Sequence, residues 1–242
     1  NFGSDSLELR SMNGLFPPTL DAESVSLMKD AGDRILNLSL GTTSKSQLIR
    51  FNRPDVTFSF EKALTLAETH RLEAVGYIIV GAPHQDPNES VLDLLYLARQ
   101  RVLAGVSVFY PSPGSTDFER CHDLGILPAV PSLYRSSALP ISHKTKRRDA
   151  VTLLRLSRIL NFMKALIDQE IEIPEPLPFN RDHLKGFTNK IEIGKILLQW
   201  FLYDGKIRGI TSTGNIYTHA VNTDLTHRFI QGVAQIDVRG CR

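Results

Sequence analysis

Cysteine is almost absent from this sequence, which contains only Cys121 and Cys241 in 242 residues. The two lie too far apart along the chain to form a CxxC-type set of metal ligands. Residues 1–10 are polar and lack the character of a secretory signal. We therefore expect two free thiols without a role, in a protein of the reducing cytoplasm.

The sequence also has little excess charge and no long apolar run. Its formal net charge is +2, which is too small to argue for nucleic acid as a partner. No apolar stretch reaches the roughly 18 residues that a membrane span needs. With 42% apolar and 22% charged residues, the composition is that of an ordinary globular protein that does not enter a membrane.

The familiar nucleotide and metal motifs are missing as well. There is no P-loop motif of the GxxxxGK type and no GxGxxG, which removes the main phosphate-binding and Rossmann signals. The seven histidines show no HExxH or paired spacing, so we expect no metal site. A basic run over residues 144–148, continued by Arg155 and Arg158, could meet phosphate. Because no aromatic residues are interleaved for base stacking, we interpret it as the solvated entrance of a helix.

What the first 110 residues do contain is an alternation of strand and helix patterns. Apolar runs predict strands, and the segments between them carry helix caps and helical spacing, with a helix closed by Gly32 and another opened by Asp86-Pro87. This order is typical of a parallel sheet built from βαβ units. The predicted strands, in spatial order, are Leu7–Arg10, Ile35–Leu40, Val75–Val80 and Val106–Tyr110.

The predicted fold class is α/β, a fragment of a partial, TIM-like (β/α) barrel with a helical C-terminal region and a small β-hairpin. Four strands are about half of the eight that a complete barrel builds from about 250 residues. We divide the chain into the barrel segment (1–125), a loop with a long helix packing on the barrel (126–170), and a helix and hairpin appendage (171–242). The long helix, from Asp149 to about Gln169, carries an apolar stripe from Leu153 to Ile167.

Glycine, proline and hydroxyl residues follow three of the predicted strands, where ligands of parallel α/β proteins bind. Ordinary βα turns favour the same residues, so both a ligand site and plain turns stay open. The segments are LSLGTTS (38–44), then RFNRP (50–54), YIIVGAPHQDPNES (77–90) and VFYPSPGSTDFE (108–119). In this order and spacing they resemble the fourth to sixth βα units of radical SAM enzymes, in the branch that includes coproporphyrinogen dehydrogenases and methylthiotransferases. The resemblance covers residues 4–120.

The resemblance implies a pocket for S-adenosylmethionine (SAM) across the strand ends. Ser39 and Thr43 match positions near the ribose and methionine moieties, Arg53 matches an arginine that reaches the SAM carboxylate, and Ile79 matches an apolar residue beside the adenine. Tyr77 stands where some members carry an acidic residue that binds ribose, which puts that contact in doubt. The expected pocket residues, with no catalytic residue assigned, are Ser39, Thr43, Arg53, Tyr77, Ile79, Gly81 and Tyr110.

The main departure from the family is the absent CxxxCxxC segment, which holds its 4Fe–4S cluster through three thiolates. Together with the start at Asn1, this leads us to expect a fragment or a trimmed chain, a processed terminus being the alternative. The cluster then belongs only to the full-length parent, and the chain's partners are an unknown substrate and its own missing N-terminal half.

The sequence therefore predicts part of a radical SAM enzyme, supplying part of the SAM pocket and of the substrate wall for hydrogen abstraction, and inactive as an isolated chain. A different interpretation is a non-catalytic, barrel-derived module that binds a small molecule or protein, with the long helix as its interface. A third is an unrelated TIM-barrel lyase or transferase, since a fold does not fix a function.

Overall fold

A three-stranded parallel sheet stands at the centre of the structure, a computed structural model that describes residues 8–11, 14–135, 141–184, 186 and 189–241. Its strands lie in chain order, each separated from the next by helix. They are β1 (Ile35–Gly41), β2 (Glu73–Val80) and β3 (Leu103–Val108). The parallel α/β arrangement and the order of these three strands were predicted from the sequence, and both are confirmed.

The two faces of the sheet differ because side chains alternate along a strand. Even-numbered residues of β1 and β2 are buried under the helices, whereas the odd-numbered ones, except the terminal Gly41, are partly or fully exposed. We call these the helix-covered face and the open face. Gly76 shows how tightly the first is packed, because a Cβ atom there would lie 2.7 Å from Phe60 Cζ and 2.9 Å from Leu97 Cδ2.

Eight α-helices lie within the described residues. Two of the predicted boundaries hold in detail: Gly32 ends α1 with a φ of 112°, and the Asp86 carboxylate caps α4 by accepting from Asn88 N. The carboxylate of Asp21 caps the start of α1 by accepting from Ser24 N. The helices are α1 (Ala22–Ala31), α2 (Lys45–Phe51), α3 (Thr57–Thr69), α4 (Pro87–Ala98), α5 (Thr116–Asp123), α6 (Arg147–Ile167), α7 (Lys190–Asp204) and α8 (Thr223–Val233).

The predicted first strand is wrong as far as it can be followed. Leu7 lies outside the described residues, and Leu9 makes a single parallel bridge to Asp33 instead of a ladder. Leu15 makes a second bridge, to Leu38. The chain thus runs beside β1 without forming a strand there, and the parallel strands of the described part form an open sheet, not a closed barrel.

Three further boundaries correct the sequence analysis. The third strand runs from Leu103 to Val108, whereas the predicted strand was Val106–Tyr110. Helices α2 and α8 were not predicted from the sequence. The predicted hairpin does form, from β4 (Arg208–Ile210) and β5 (Ile216–Thr218) in antiparallel pairing.

The long helix α6 closes the outer edge of the sheet. The Asn161 side chain accepts from Ala104 N at 2.7 Å and donates to Ala104 O at 3.0 Å, which pairs both backbone groups of this residue at the edge of β3. The stripe predicted on this helix is buried against β3, α4 and α8. Its members with no exposed surface are Leu153, Leu156, Leu160 and Met163. Residues of all three predicted segments share this core.

Lys164 ties the C-terminal segment to the sheet. Its fully buried ammonium donates to the carbonyl oxygens of Ala98, Gln100 and Arg239, at 3.3, 2.6 and 2.7 Å. Burial lowers the pKa of Lys164 to about 8. Near the other end of α6, Asn222, the cap of α8, donates from its backbone to Thr152 Oγ1 at 2.9 Å. None of the helices within the described ranges is long and apolar enough to cross a membrane.

Candidate functional site

The carboxyl end of the sheet is shaped by two glycines that close β1 and β2. Gly41 and Gly81 have φ angles of 79° and 76°, in the left-handed region that favours glycine. They turn the chain sharply away from the sheet, so that the following loops frame its end. The predicted SAM residues lie along this end, and the structure separates them into two groups.

The first group lies on the open face. Ser39 of β1 pairs with Tyr77 of β2, and Ile79 follows Tyr77 two positions on, so the three share one side of the sheet. The Tyr77 ring lies over Gly105 of β3, where a Cβ atom would come within 2.7 Å of Tyr77 Cδ1. The result is a partly exposed surface with a hydroxyl at one edge, an aromatic ring and an aliphatic side chain.

Arg53 reaches the same end of β1 from beyond α2. Its Nη1 donates to Ser39 Oγ at 3.4 Å and lies 3.6 Å from a Cβ atom built on Gly41. The side chain is exposed, so its remaining N–H groups face solvent at the strand end. A guanidinium beside a serine hydroxyl is a suitable pair for a carboxylate.

The second group comprises Thr43 and Tyr110, which lie in the loops after β1 and β3 and not on the strands of the open face. Thr43 donates from both its backbone N and its Oγ1 to Asp93 Oδ1, each at 2.7 Å, which ties the β1–α2 loop down to α4. Burial raises the pKa of Asp93, and the hydrogen bonds from Thr43 oppose that rise. Tyr110 is 40% exposed and lies beyond the end of β3.

A separate cleft of about 340 Å³ opens where α2, the β2–α4 loop and α5 meet above the sheet. Phe109 follows β3 into this cleft. The centroid of its ring lies 6.4 Å from the centroid of the Phe51 ring, and the two ring planes are inclined by 12°. None of the seven predicted SAM residues lines it. The lining residues are Gln47, Ile49, Arg50, Phe51, Pro83, His84, Phe109, Asp117 and Arg120.

One wall of the cleft is held in a strained conformation. His84 has a φ of 64°, unusual for a residue with a side chain, and its carbonyl accepts from Arg50 Nη1 at 3.0 Å. On the opposite wall, Arg120 Nη1 lies 3.4 Å from Asp117 Oδ1 in an exposed ion pair. Strain of this kind clusters at ligand sites. The lining also contains two arginines and one aspartate, so its net charge is +1 when His84 is neutral.

Gln47 is the most unusual residue of the cleft. It is fully buried, yet within the described residues neither its Nε2 nor its Oε1 has a hydrogen-bond partner. Nearby Gln85 is equally buried but satisfied: it accepts from Ala82 N at 3.1 Å and donates to Ile79 O at 2.8 Å. Buried polar groups are nearly always paired, so the bare Gln47 amide calls for an explanation.

This cleft was not predicted from the sequence, because α2 shows no apolar stripe that would mark it as a helix. A helix signal was present in Ser44, whose hydroxyl accepts from Gln47 N at the start of α2. No local signal indicates that α5 approaches α2, since that contact arises from the packing of the whole sheet.

The thiols do not converge on this or any common site. Cys121 is buried in α5, on the carboxyl side of the sheet. Cys241 donates from its backbone N to Asp168 Oδ1 and lines a groove beside Glu73, where β2 begins. Among the residues that the structure describes, no three His, Cys, Asp or Glu side chains are grouped to hold a metal ion.

Comparison with known proteins adds no relative. No protein-family model matches the chain, and no curated protein matches it significantly.

Proposed function

We propose that this chain is the later part of a radical SAM partial barrel, where it forms part of the SAM pocket and part of the substrate wall. The observation that supports the proposal best is the open face of the sheet. Parallel strands bring Ser39, Tyr77 and Ile79 to one side, and Arg53 returns to Ser39 at the strand end. The motif order that resembles the family thus coincides with a shared surface.

The donors and apolar groups present fit SAM in kind. The guanidinium of Arg53 and the hydroxyl of Ser39 would hold the methionine carboxylate, through charge-assisted hydrogen bonds. Ile79 would pack against the adenine, and the turn at Gly81 lets a ligand approach the backbone closely. Thr43 would act indirectly, because its hydroxyl is bound to Asp93. Tyr110 would belong to the substrate wall.

The iron–sulfur cluster does not fit this chain. Such clusters need several converging thiolates, and Cys121 and Cys241 lie at opposite ends of the sheet. Under the proposal, the cluster ligands come from outside these 242 residues. The residues described here would bind and orient SAM; they supply no electron for its cleavage.

The binding-module alternative loses its proposed interface. The stripe from Leu153 to Met163 is covered by β3, α4 and α8 and offers no apolar surface to a partner. No feature of the described residues favours a lyase or transferase.

Calorimetric titration of the chain with SAM and with S-adenosylhomocysteine tests the proposal. Both should bind weakly, and Arg53→Gln should reduce the affinity at least about tenfold, because charged hydrogen bonds contribute about 1.5–3 kcal/mol. Arg34→Gln is the matched control, an exposed arginine just before the amino end of β1. No measurable binding of either compound, or equal losses in the two variants, would contradict the proposal.

A further inference from the structure

The cleft between α2 and α5 is distinct from the open face that we assign to SAM. It shares no residue with that face, and it differs in character. Phe51 and Phe109 give it aromatic walls, and Arg50 and Arg120 make it cationic overall against the single carboxylate of Asp117. A site with flat apolar walls and a positive mouth suits a small planar molecule that carries one negative charge.

The Gln47 amide indicates which hydrogen-bonding groups the ligand carries. Gln47 is one of the lining residues, its side chain is fully buried, and neither polar atom of that side chain is paired within the described residues. A carboxamide presents an N–H donor beside a carbonyl acceptor. Its complement is therefore a ligand edge on which an acceptor lies beside a donor, such as the C=O and N–H of a cyclic imide or amide.

We propose that this cleft binds a small planar anion, in which a carboxylate or phosphate is attached to a ring with an imide or amide edge. Gln47 binds the polar edge of the ring, the Phe51–Phe109 pair packs against the ring as an aromatic wall, and Arg120 pairs with the anion. Arg50 is largely committed to the carbonyl of His84 and shapes the β2–α4 loop. The strained backbone of His84 is then part of a ligand site.

Three commercially pure probes separate these contributions. Orotate carries both the imide edge and a carboxylate, uracil carries only the edge, and benzoate carries only the carboxylate on a flat ring. Titration of each into the whole chain, followed by calorimetry and by amide chemical shifts, should show that orotate binds at least about tenfold more tightly than either of the others.

Two variants assign the contacts. Gln47→Met should weaken orotate about tenfold and leave benzoate unchanged. Arg120→Gln should weaken orotate and benzoate alike and leave uracil unchanged; its ion pair with Asp117 is exposed, so the fold should tolerate the change. Arg99→Gln, an exposed arginine at the end of α4, is the control and should change none of the three affinities.

The proposal is overturned if orotate binds no better than benzoate, or if Gln47→Met leaves the orotate affinity unchanged. The second result would assign the amide to buried water. Uridine monophosphate in place of orotate decides between phosphate and carboxylate as the anion. None of these outcomes bears on SAM, whose test depends on Arg53 at the open face.

Discussion

The unpaired amide of Gln47 leads to a stability prediction that can be tested without a ligand. Replacing Gln47 by Met keeps the length and approximate volume of the side chain but removes both polar atoms. In the wild-type protein these two atoms are shielded from water and have no partner within the described residues. The substitution should therefore stabilise the fold, whereas most changes of a buried residue destabilise it.

The magnitude follows from the cost of an unsatisfied buried group, which is about 1–3 kcal/mol per donor or acceptor. A volume-conserving replacement loses up to about 1.5 kcal/mol through imperfect packing. Because two atoms are unsatisfied, the expected net gain in the free energy of unfolding lies between about 0.5 and 6 kcal/mol. For a chain of this length, each 1 kcal/mol of that gain corresponds to an increase in Tm of about 2–4 °C.

Gln85→Met is the matched control, since Gln85 has the same chemistry and the same burial but makes two hydrogen bonds. The Gln85→Met substitution leaves Ala82 N and Ile79 O in the interior without their hydrogen-bond partner, so it should reduce the free energy of unfolding by about 2 kcal/mol or more. Urea denaturation of wild type and both variants, with m checked for constancy, measures the two effects. If Gln47→Met destabilises the protein to the same extent as Gln85→Met, the Gln47 amide has a partner and the reasoning fails.

Three further predictions concern the rest of the fold. Gly76→Ala should reduce the free energy of unfolding by about 1–3 kcal/mol, because a Cβ atom would overlap Phe60. An unchanged urea midpoint would show that the helices covering the sheet shift to accommodate the methyl group. Asp93→Ala should cost about 2–4 kcal/mol by leaving Thr43 N and Oγ1 without their acceptor, and thermal melts that match wild type would contradict this. The pKa of Lys164 is about 8 in the folded state, below its usual 10.5. Between these two values the unfolded state binds more protons than the folded state, so the free energy of unfolding should increase as the pH rises from 8 to 10.5. Urea titrations across that range should show the increase in wild type and its absence in Lys164→Met; the same slope in both would assign it to other groups.

The sheet was predictable from the sequence where each strand is a run of apolar residues with its own boundary signals. Val75–Val80 is such a run, and Gly81 ends it. The helix-covered and open faces follow from the alternation of side chains along a strand, which by itself puts Tyr77 and Ile79 on the same side. The first strand was wrong because the four residues Leu7–Arg10 are too few for a reliable alternation, and among the described ones Leu9 makes only an isolated bridge to Asp33.

The elements that sequence reasoning missed are those whose stability depends on tertiary contacts. Helix α2 has seven residues and exposes Ile49, so it shows no apolar stripe. Helix α8 does carry one, formed by Leu225, Phe229 and Val233, but three apolar positions after a hairpin are a weak signal. The cleft could not be predicted, since Gln47 and Arg120 meet only after the sheet, α2 and α5 are all in place.

The contacts around α6 also constrain the order of events during synthesis on the ribosome. Lys164 Nζ donates to a carbonyl oxygen that lies 75 residues further along the chain. Thr152 Oγ1 accepts from the backbone N of Asn222, 70 residues further on. Until those segments emerge, the face of α6 that α8 covers stays open to water, next to an ammonium with one of its acceptors missing. A nascent chain halted after α6 would expose that apolar face to other chains. Exposed apolar surface of this kind promotes aggregation, which chaperones prevent.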